Sequence, residues 1–243
     1  MTYKKRFDGR KFDQLRDMEA KVGVIKRAFG SAMFRMGETI AYAAVYGPRE
    51  LFPAFLQNPT RARLNCVYDL LSFSVTDRKR PGPSRRSTEI SLVTKNCLDP
   101  SVDLSAYPMT TVDVYIYITQ ADAGTRTAGI NAAALALADA GIPMKDIVAS
   151  VAVGKVSDKI CVDLTKEEED HEEGATDMPV AIMPRSGKIT LLQLDGNMTA
   201  EEIDEATKMA EKACKEISKV QTKALKDNYR KWKNDKGKMF KIG

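Results

Sequence analysis

The sequence is poorest in the residues that build most transition-metal and hydrolase sites. Its 243 residues include one histidine and one tryptophan. A single imidazole, His171, excludes most transition-metal sites and any Ser-His-Asp hydrolase whose histidine lies elsewhere in the chain. A metal, if used, is expected to be a hard cation bound by carboxylates and phosphate. Cysteine is scarce as well: Cys66, Cys97, Cys161 and Cys214 stand singly, with no Cys-x-x-Cys pair. They read as small buried hydrophobes kept reduced, not as a disulfide or metal framework. No run approaches the roughly 20 apolar residues that cross a bilayer. The charged start Met1-Thr2-Tyr3-Lys4-Lys5-Arg6 has no apolar stretch behind it, so the expectation is a soluble, cytoplasmic protein without signal peptide or membrane partner. Walker A, Gly-x-Gly-x-x-Gly and His-Glu-x-x-His motifs are also absent.

What is present is an ordinary core-forming composition with an uneven charge. Hydrophobic residues make up 43% of the chain, enough for one sizeable core or two small lobes sharing one. The net charge is +5, but residues 206–243 hold 12 Lys and Arg against 4 Asp and Glu, leaving 26 and 29 for the rest. A basic tail on a slightly acidic body suggests nucleic acid or an acidic partner, although composition alone favours a solvated helix face.

The first third reads as strands and turns. Val22 and Val24 alternate with small or polar neighbours, and Ser31–Met36 and Thr39–Tyr46 flank Gly37-Glu38 as a hairpin. Leu64–Val75 reads as a strand. A polar, Pro-rich loop from Thr76 to Arg86 follows, and then a helix with Ile90, Val93 and Cys97 on one face. Val112, Val114, Ile116 and Ile118 line one side of a strand whose other side carries Asp113, Tyr115 and Tyr117. Ala128–Ala140 is apolar all round, which predicts a buried helix stopped by Gly141-Ile142-Pro143. Further strands are expected near Val148–Val156 and Lys159–Asp163. An acidic loop from Lys166 to Asp177 leads to a second hairpin, Val180–Met183 and Ile189–Leu194, turning at Arg185-Ser186-Gly187. A long helix from about Ala200 presents Ile203, Ala206, Ala210, Ala213, Ile217, Val220 and Ala224 as its core stripe. With no low-complexity linker, the two strand-rich halves are expected to form one compact α/β unit.

Three groups of residues carry chemistry. Gly124-Thr125-Arg126-Thr127 joins a strand to the N-terminus of the buried helix, where unpaired N–H groups and the helix dipole favour an anion. Gly124 permits close approach to the backbone, the threonines add hydroxyls, and Arg126 adds a fork suited to phosphate. Arg85-Arg86 can bridge successive phosphates of a nucleic-acid strand, or can be a solvated basic turn. In the acidic run Glu167 to Asp177, a carboxylate beside a bound phosphate could hold Mg²⁺ or protonate a leaving oxygen. These groups imply a phosphate site and basic surfaces without naming a reaction.

A resemblance goes further. From Arg6 to about Tyr229 the chain resembles the ribonuclease PH family, and within it the archaeal exosome subunits more than the bacterial enzyme. The resemblance rests on Phe7-Asp8-Gly9-Arg10-Lys11, Met36-Gly37-Glu38-Thr39, Ala44 to Glu50, Pro83-Ser84-Arg85-Arg86, Gln120 to Arg126, Ala136 to Met144, Val151 to Lys155 and Asp177 to Ala181. Each stretch is short, but their order and near-constant spacing make chance agreement negligible.

The resemblance implies a ribonuclease PH fold of the α/β (α+β) class. It has two β-α-β-like lobes of the ribosomal-protein-S5-domain-2-like type, here 1–145 and 146–243, with mixed sheets packed with helices and a long C-terminal helix. It implies a hexameric ring, a trimer of heterodimers in which the catalytic subunit alternates with an inactive ribonuclease PH-like paralogue beneath RNA-binding cap subunits. It also implies a phosphorolytic 3′→5′ exoribonuclease: inorganic phosphate is the co-substrate, RNA the substrate and nucleoside diphosphates the products. Gly124, Thr125, Arg126 and Thr127 match the phosphate motif, Arg85 and Arg86 the RNA-contacting pair, and Arg61 and Arg63 fall near the loop lining the RNA channel. The family places two aspartates six positions apart. Here Asp177 stands in its Asp-Met-Pro context, but Asp170 lies seven before it and His171 fills the six-position slot. Asp170 is expected to be the general acid, with Asp177 beside it as catalytic group and the pair as candidate Mg²⁺ ligands; His171 is the alternative acid. The rival functions are a free-standing tRNA-trimming ribonuclease PH homohexamer and a non-catalytic RNA-binding ring subunit.

Overall fold

The computed structural model describes residues 3–171 and 175–239, without the side chains of 231–239. Glu172, Glu173 and Gly174 of the acidic run, the first two residues and the end of the basic tail lie outside the described residues.

A five-stranded sheet comes first. β1 (Met18–Val22), β2 (Gly30–Met36) and β3 (Thr39–Glu50) are antiparallel neighbours, and β2 and β3 turn at Gly37-Glu38 as the pattern predicts. β4 (Arg63–Leu70) lies parallel to β5 (Thr110–Gln120), and β5 pairs antiparallel with β3, giving the order β1-β2-β3-β5-β4. Parallel strands need a crossover, supplied here by helix α1 (Arg85–Leu98). The expected strand Leu64–Val75 stops at Leu70. The chain then turns, and the Lys79 ammonium closes the turn on the Asp69 carboxylate and, at 3.0 Å, on the Leu70 carbonyl.

Helix α2 (Thr125–Asp139) is buried along almost its whole length. It packs on β2, β3 and β5 of the first sheet and on β6 (Ala149–Val156) of the second, which explains why it is apolar all round. Its small residues bring these layers close. The second sheet is antiparallel in the order β7-β6-β8-β9, with β7 (Lys159–Val162), β8 (Ala175–Met183) and β9 (Lys188–Leu192). A one-turn helix, α3 (Lys166–Glu169), precedes β8, and helix α4 (Ala200–Met239) packs on β6, β1 and β7.

One hydrophobic cluster runs through both sheets and α2 and takes in Phe34, Leu64, Ile116, Leu135, Val151, Val180 and Ile217. Each such side chain contributes about 1.5–3 kcal/mol when fully buried. All four cysteines are free and buried. The stripe of α4 departs from expectation near its end: Val220 and Ala224 are only partly covered, and Gln221 is fully buried instead, donating to the Val148 carbonyl at 3.0 Å. Among the described residues, no helix is long and apolar enough to cross a membrane.

Candidate active site

A cavity of about 650 Å³ opens where the two sheets meet, between the N-terminal ends of α1 and α2 and the start of β8. Gly124 begins one wall. Its backbone is left-handed (φ 59°), as is that of Ala123 before it (φ 55°), a turn that glycine takes without strain. α2 starts at the next residue, so its first-turn N–H groups and dipole face the cavity rim. Thr125, Arg126 and Thr127 line the same wall. The Thr127 hydroxyl is committed to fastening the turn, donating to the Gly124 carbonyl at 2.8 Å.

Arg126 is four-fifths covered and held at its tip: Nη1 donates to Gln193 Oε1, and Nη2 lies 3.9 Å from Glu89 Oε1. Gln193 in turn donates to Glu89 at 3.2 Å. The Nε of Arg126 is buried without a hydrogen-bond partner among the described residues. Such a donor is costly unless an acceptor arrives, so Arg126 is set to receive an anion.

Arg85 and Arg86 lie in the first turn of α1, not on the preceding loop as expected. Ser84 starts the helix two residues earlier than the loop's polarity implies, its hydroxyl accepting the Ser87 N–H at 3.0 Å while Ser87 caps back onto the Ser84 N–H at 2.7 Å. Helical geometry then separates the neighbouring arginines by about 100°. Arg86 lines the cavity, whereas Arg85 is exposed and outside it.

Asp177 sits inside β8, not in the acidic loop. Its backbone pairs with Gly154 of β6 and exchanges two hydrogen bonds with Asp195, at 3.0 and 2.8 Å. Gly154 permits this approach, since a Cβ there would lie 2.0 Å from the Thr176 carbonyl oxygen. Burial pushes the Asp177 carboxyl up, with Asp195 adding to it and Arg126 and Arg86 opposing. Its Oδ1 is buried and unpartnered among the described residues.

Glu169 and the exposed Asp77 also line the cavity, and Glu169 is the one whose carboxyl feels the Asp177 charge. Burial and then the Asp177 charge push it up to about 7, against Lys166, Arg86 and the Gly124 N–H. The sequence pattern did not single it out. The signal that could have found it is the capping box Thr165…Glu168, in which the Thr165 hydroxyl accepts the Glu168 N–H and Glu168 takes the Thr165 N–H. That box fixes α3 and with it the direction of each acid. Asp170 caps the other end of α3: it is 62% exposed and ion-paired to Lys166 at 2.6 Å, outside the cavity. His171 meets Tyr3 edge-to-face and Phe7 at a tilt, with ring centroids 5.6 and 6.0 Å away. The structure therefore brings Gly124 to Thr127, Arg86 and Asp177 together and adds Glu169, while Asp170 and Arg85 stand outside.

Arg61 and Arg63 are not part of this cavity. Arg61 is ion-paired to Asp99 at 2.5 Å, and Arg63 is exposed at the start of β4. Leu70, at the far end of that strand, lines the cavity; seven residue steps put Arg63 about 23 Å away.

Among the described residues no cluster of three or more His, Cys, Asp or Glu could cage a metal. Asp177, with its unpartnered Oδ1, and Glu169 suit a hard cation that takes its other ligands from phosphate and water.

Comparisons with known proteins fit this arrangement. The model for domain 1 of the 3′ exoribonuclease family, ribonuclease PH, matches residues 14–143, and that for domain 2 matches residues 146–213. The exosome complex component Rrp41 of Pyrococcus abyssi is 53% identical over 227 residues, 93% of this chain and 90% of that one. Its counterpart in Methanopyrus kandleri is 50% identical over 224 residues, 92% and 93% of the two chains. Among solved structures, rice Rrp46 is similar with a TM-score of 0.81 at 25% identity, covering 91% of this chain and all of that one. A chain of the Archaeoglobus fulgidus exosome with RNA bound to the active site shares the fold, with a TM-score of 0.76 at 23% identity over 88% of this chain and 91% of that one. On the family match across both halves, the chain belongs to the 3′ exoribonuclease family of the ribonuclease PH type.

Proposed function

We propose that this chain is the catalytic subunit of an archaeal exosome, a phosphate-dependent 3′→5′ exoribonuclease that releases nucleoside diphosphates from RNA. The observation that carries the reading is the convergence in one cavity of a helix N-terminus, Arg126, Arg86 and the buried carboxyl of Asp177. An oxygen of inorganic phosphate attacks the terminal phosphodiester phosphorus, the bond to the 3′-oxygen breaks, and that oxygen takes a proton. Two anions must meet for this, and Arg126 with the α2 N-terminus offsets their repulsion. Arg86 holds the RNA phosphate in line, with Arg85 on the next phosphate outward.

Asp177 and a second carboxyl from the acidic segment serve the departing oxygen. The resemblance implies Asp170 for that role, and Glu169 is a second candidate because it lines the cavity. Mg²⁺ on Asp177 and Glu169 would neutralise charge building up on the departing oxygen. Because a phosphodiester is exchanged for an anhydride, the reaction runs backwards when diphosphates are abundant and adds 3′ tails.

The remaining features follow from the exosome reading, which the Rrp41 relatives support. The chain forms two lobes, 1–145 and 146–243. It alternates with an inactive paralogue in a hexameric ring beneath RNA-binding caps, in the cytoplasm. The test is RNA decay with and without inorganic phosphate, by the chain alone and mixed with such a paralogue. Diphosphate release that grows on mixing supports the reading. A stable, fully active homohexamer supports the tRNA-trimming enzyme instead, and RNA binding without decay in either case supports a non-catalytic ring subunit.

A further inference from the structure

Behind the cavity, a buried ion pair joins the segment before β1 to the second sheet. The Nε and Nη2 of Arg16 donate to the two carboxylate oxygens of Asp163 at 3.0 and 2.7 Å, and the Arg16 backbone N–H adds a third bond at 2.8 Å. Asp163 is fully buried, follows β7 directly, and lies two residues before Thr165, which caps α3. The remaining arm of the fork, Nη1, donates to the Asp122 carbonyl at 2.6 Å and lies 3.3 Å from the Asp122 carboxylate. That carboxylate also accepts the Lys166 N–H, the first of α3, at 3.3 Å. The turn entering α2 and the segment carrying Glu169 thus hang from one guanidinium.

The turn itself is shaped from beneath. Ala123 and Gly124 are both left-handed, a conformation that alanine rarely adopts unless its surroundings impose it. The buried Thr39 hydroxyl lies 2.8 and 2.7 Å from the carbonyl oxygens of Asp122 and Ala123, sharing its proton between them, and accepts the Asp122 N–H at 2.9 Å. In a trans peptide the C=O and N–H point opposite ways. Carbonyls 122 and 123, drawn inward to Arg16 and Thr39, therefore turn the N–H groups of Ala123 and Gly124 outward, and both residues line the cavity. Arg16 also sits directly under Gly124, where an added Cβ would lie 3.4 Å from Nη2.

We propose that Arg16 is a positioning residue for the phosphate co-substrate: its fork to Asp163 and Asp122 fixes the turn so that backbone N–H groups and Arg126 face the incoming anion. The role rests on the phosphate site argued above. Arg16 touches no substrate. Lysine cannot replace it, because an ammonium cannot bond two carboxylate oxygens and a carbonyl in one plane. Arg10 provides a built-in control: it binds Asp163 too, at 3.5 Å to the carboxylate and 3.0 Å to the carbonyl, but has no bond to the turn.

The experiment is steady-state phosphorolysis by the full chain, in the assembly in which the unaltered protein is active, varying phosphate and RNA separately. Arg16→Lys should raise KM for inorganic phosphate by about tenfold or more, with KM for RNA held within about twofold. Thr39→Val, which removes the hydroxyl but keeps the shape, should raise the same KM by roughly severalfold. Arg10→Lys should leave it unchanged. Amide exchange at residues 122–126 should quicken in the first two variants while β3 and β5 stay protected. The positioning role is wrong if Arg16→Lys keeps the phosphate KM of the unaltered protein. It is equally wrong if kcat and both KM values worsen together, or if Arg10→Lys raises the phosphate KM as much as Arg16→Lys does. Should Arg16→Lys fail to fold, Thr39→Val decides, and an unchanged phosphate KM there overturns the role. If the unaltered protein degrades RNA without using phosphate, the phosphate site and this role fall together; if it uses phosphate and the variants do not differ, only the role falls.

Discussion

Two of the carboxyl groups that line the cavity, Glu169 and Asp177, are pushed toward their neutral forms, first by burial and then by a neighbouring acid: Asp177 for Glu169, Asp195 for Asp177. An amide keeps the shape of either group but can neither ionise nor carry the proton. Asp177→Asn should therefore lower phosphorolysis and reverse tailing together by about 10² or more, since both pass through one transition state. RNA binding should survive, as a gel-shift titration would show. Between Glu169→Gln and Asp170→Asn, the geometry favours a larger loss for Glu169→Gln, with His171→Ala nearly silent. A larger loss for Asp170→Asn would mean that the segment rearranges once RNA and phosphate are bound. The neighbouring acid, Glu168, is structural. Burial opposes its ionisation, but Arg6, at 2.7 Å from both oxygens, holds its carboxyl below the ordinary range. Its stabilisation is therefore complete above the unfolded value of roughly 4.3 and is lost as pH falls through the lower folded value. Glu168→Gln should cost about 3–5 kcal/mol at pH 7, because Arg6 stays buried and charged without its partner. Urea unfolding at neutral and acid pH should show that cost shrinking below pH 4.

At the scale of elements, the long periodic segments were legible and the short polar ones were not. The hairpin at Gly37, the alternating face of β5 and the all-round burial of α2 follow from spacing alone, because tertiary packing there reinforces the local pattern. The phosphate-binding candidates Gly124 to Thr127 were legible for the same reason, standing at a recognisable strand–helix junction. Arg16, Thr39 and Asp163 were not: their roles arise from hydrogen bonds between segments about 80 to 150 residues apart, which leave no local trace. Asn131 belongs to that class. It lies mid-helix in α2, fully buried, donating to the Ser150 carbonyl and accepting the Ser150 N–H, both at 2.8 Å. The side chain thereby completes the backbone of β6, beyond the stretch where β7 pairs with it. Asn131→Leu should leave both Ser150 groups unpaired and cost about 2–4 kcal/mol, measurable by chemical denaturation. An unchanged midpoint would mean that water satisfies the strand.

For the molecule as a whole, the two sheets supply different halves of the chemistry. The first carries Gly124, Arg126 and Arg86, the second Asp177 and the acidic segment, and the cavity exists only where they meet. RNA should be held chiefly through phosphates. Replacing both Arg85 and Arg86 by alanine should weaken binding and make the slope of log affinity against log salt shallower by about one unit per lost contact. A full two-unit change requires Arg85 to touch RNA from outside the cavity, whereas one unit assigns the contact to Arg86 alone. The central claim is that phosphate, not water, attacks the RNA end. The most direct measurement supplies ³²P-labelled inorganic phosphate with unlabelled RNA and separates the nucleotide products. We expect the label in the β-phosphate of nucleoside diphosphates, one for each nucleotide released. Unlabelled nucleoside monophosphates, formed at the same rate in phosphate-free buffer, would contradict it.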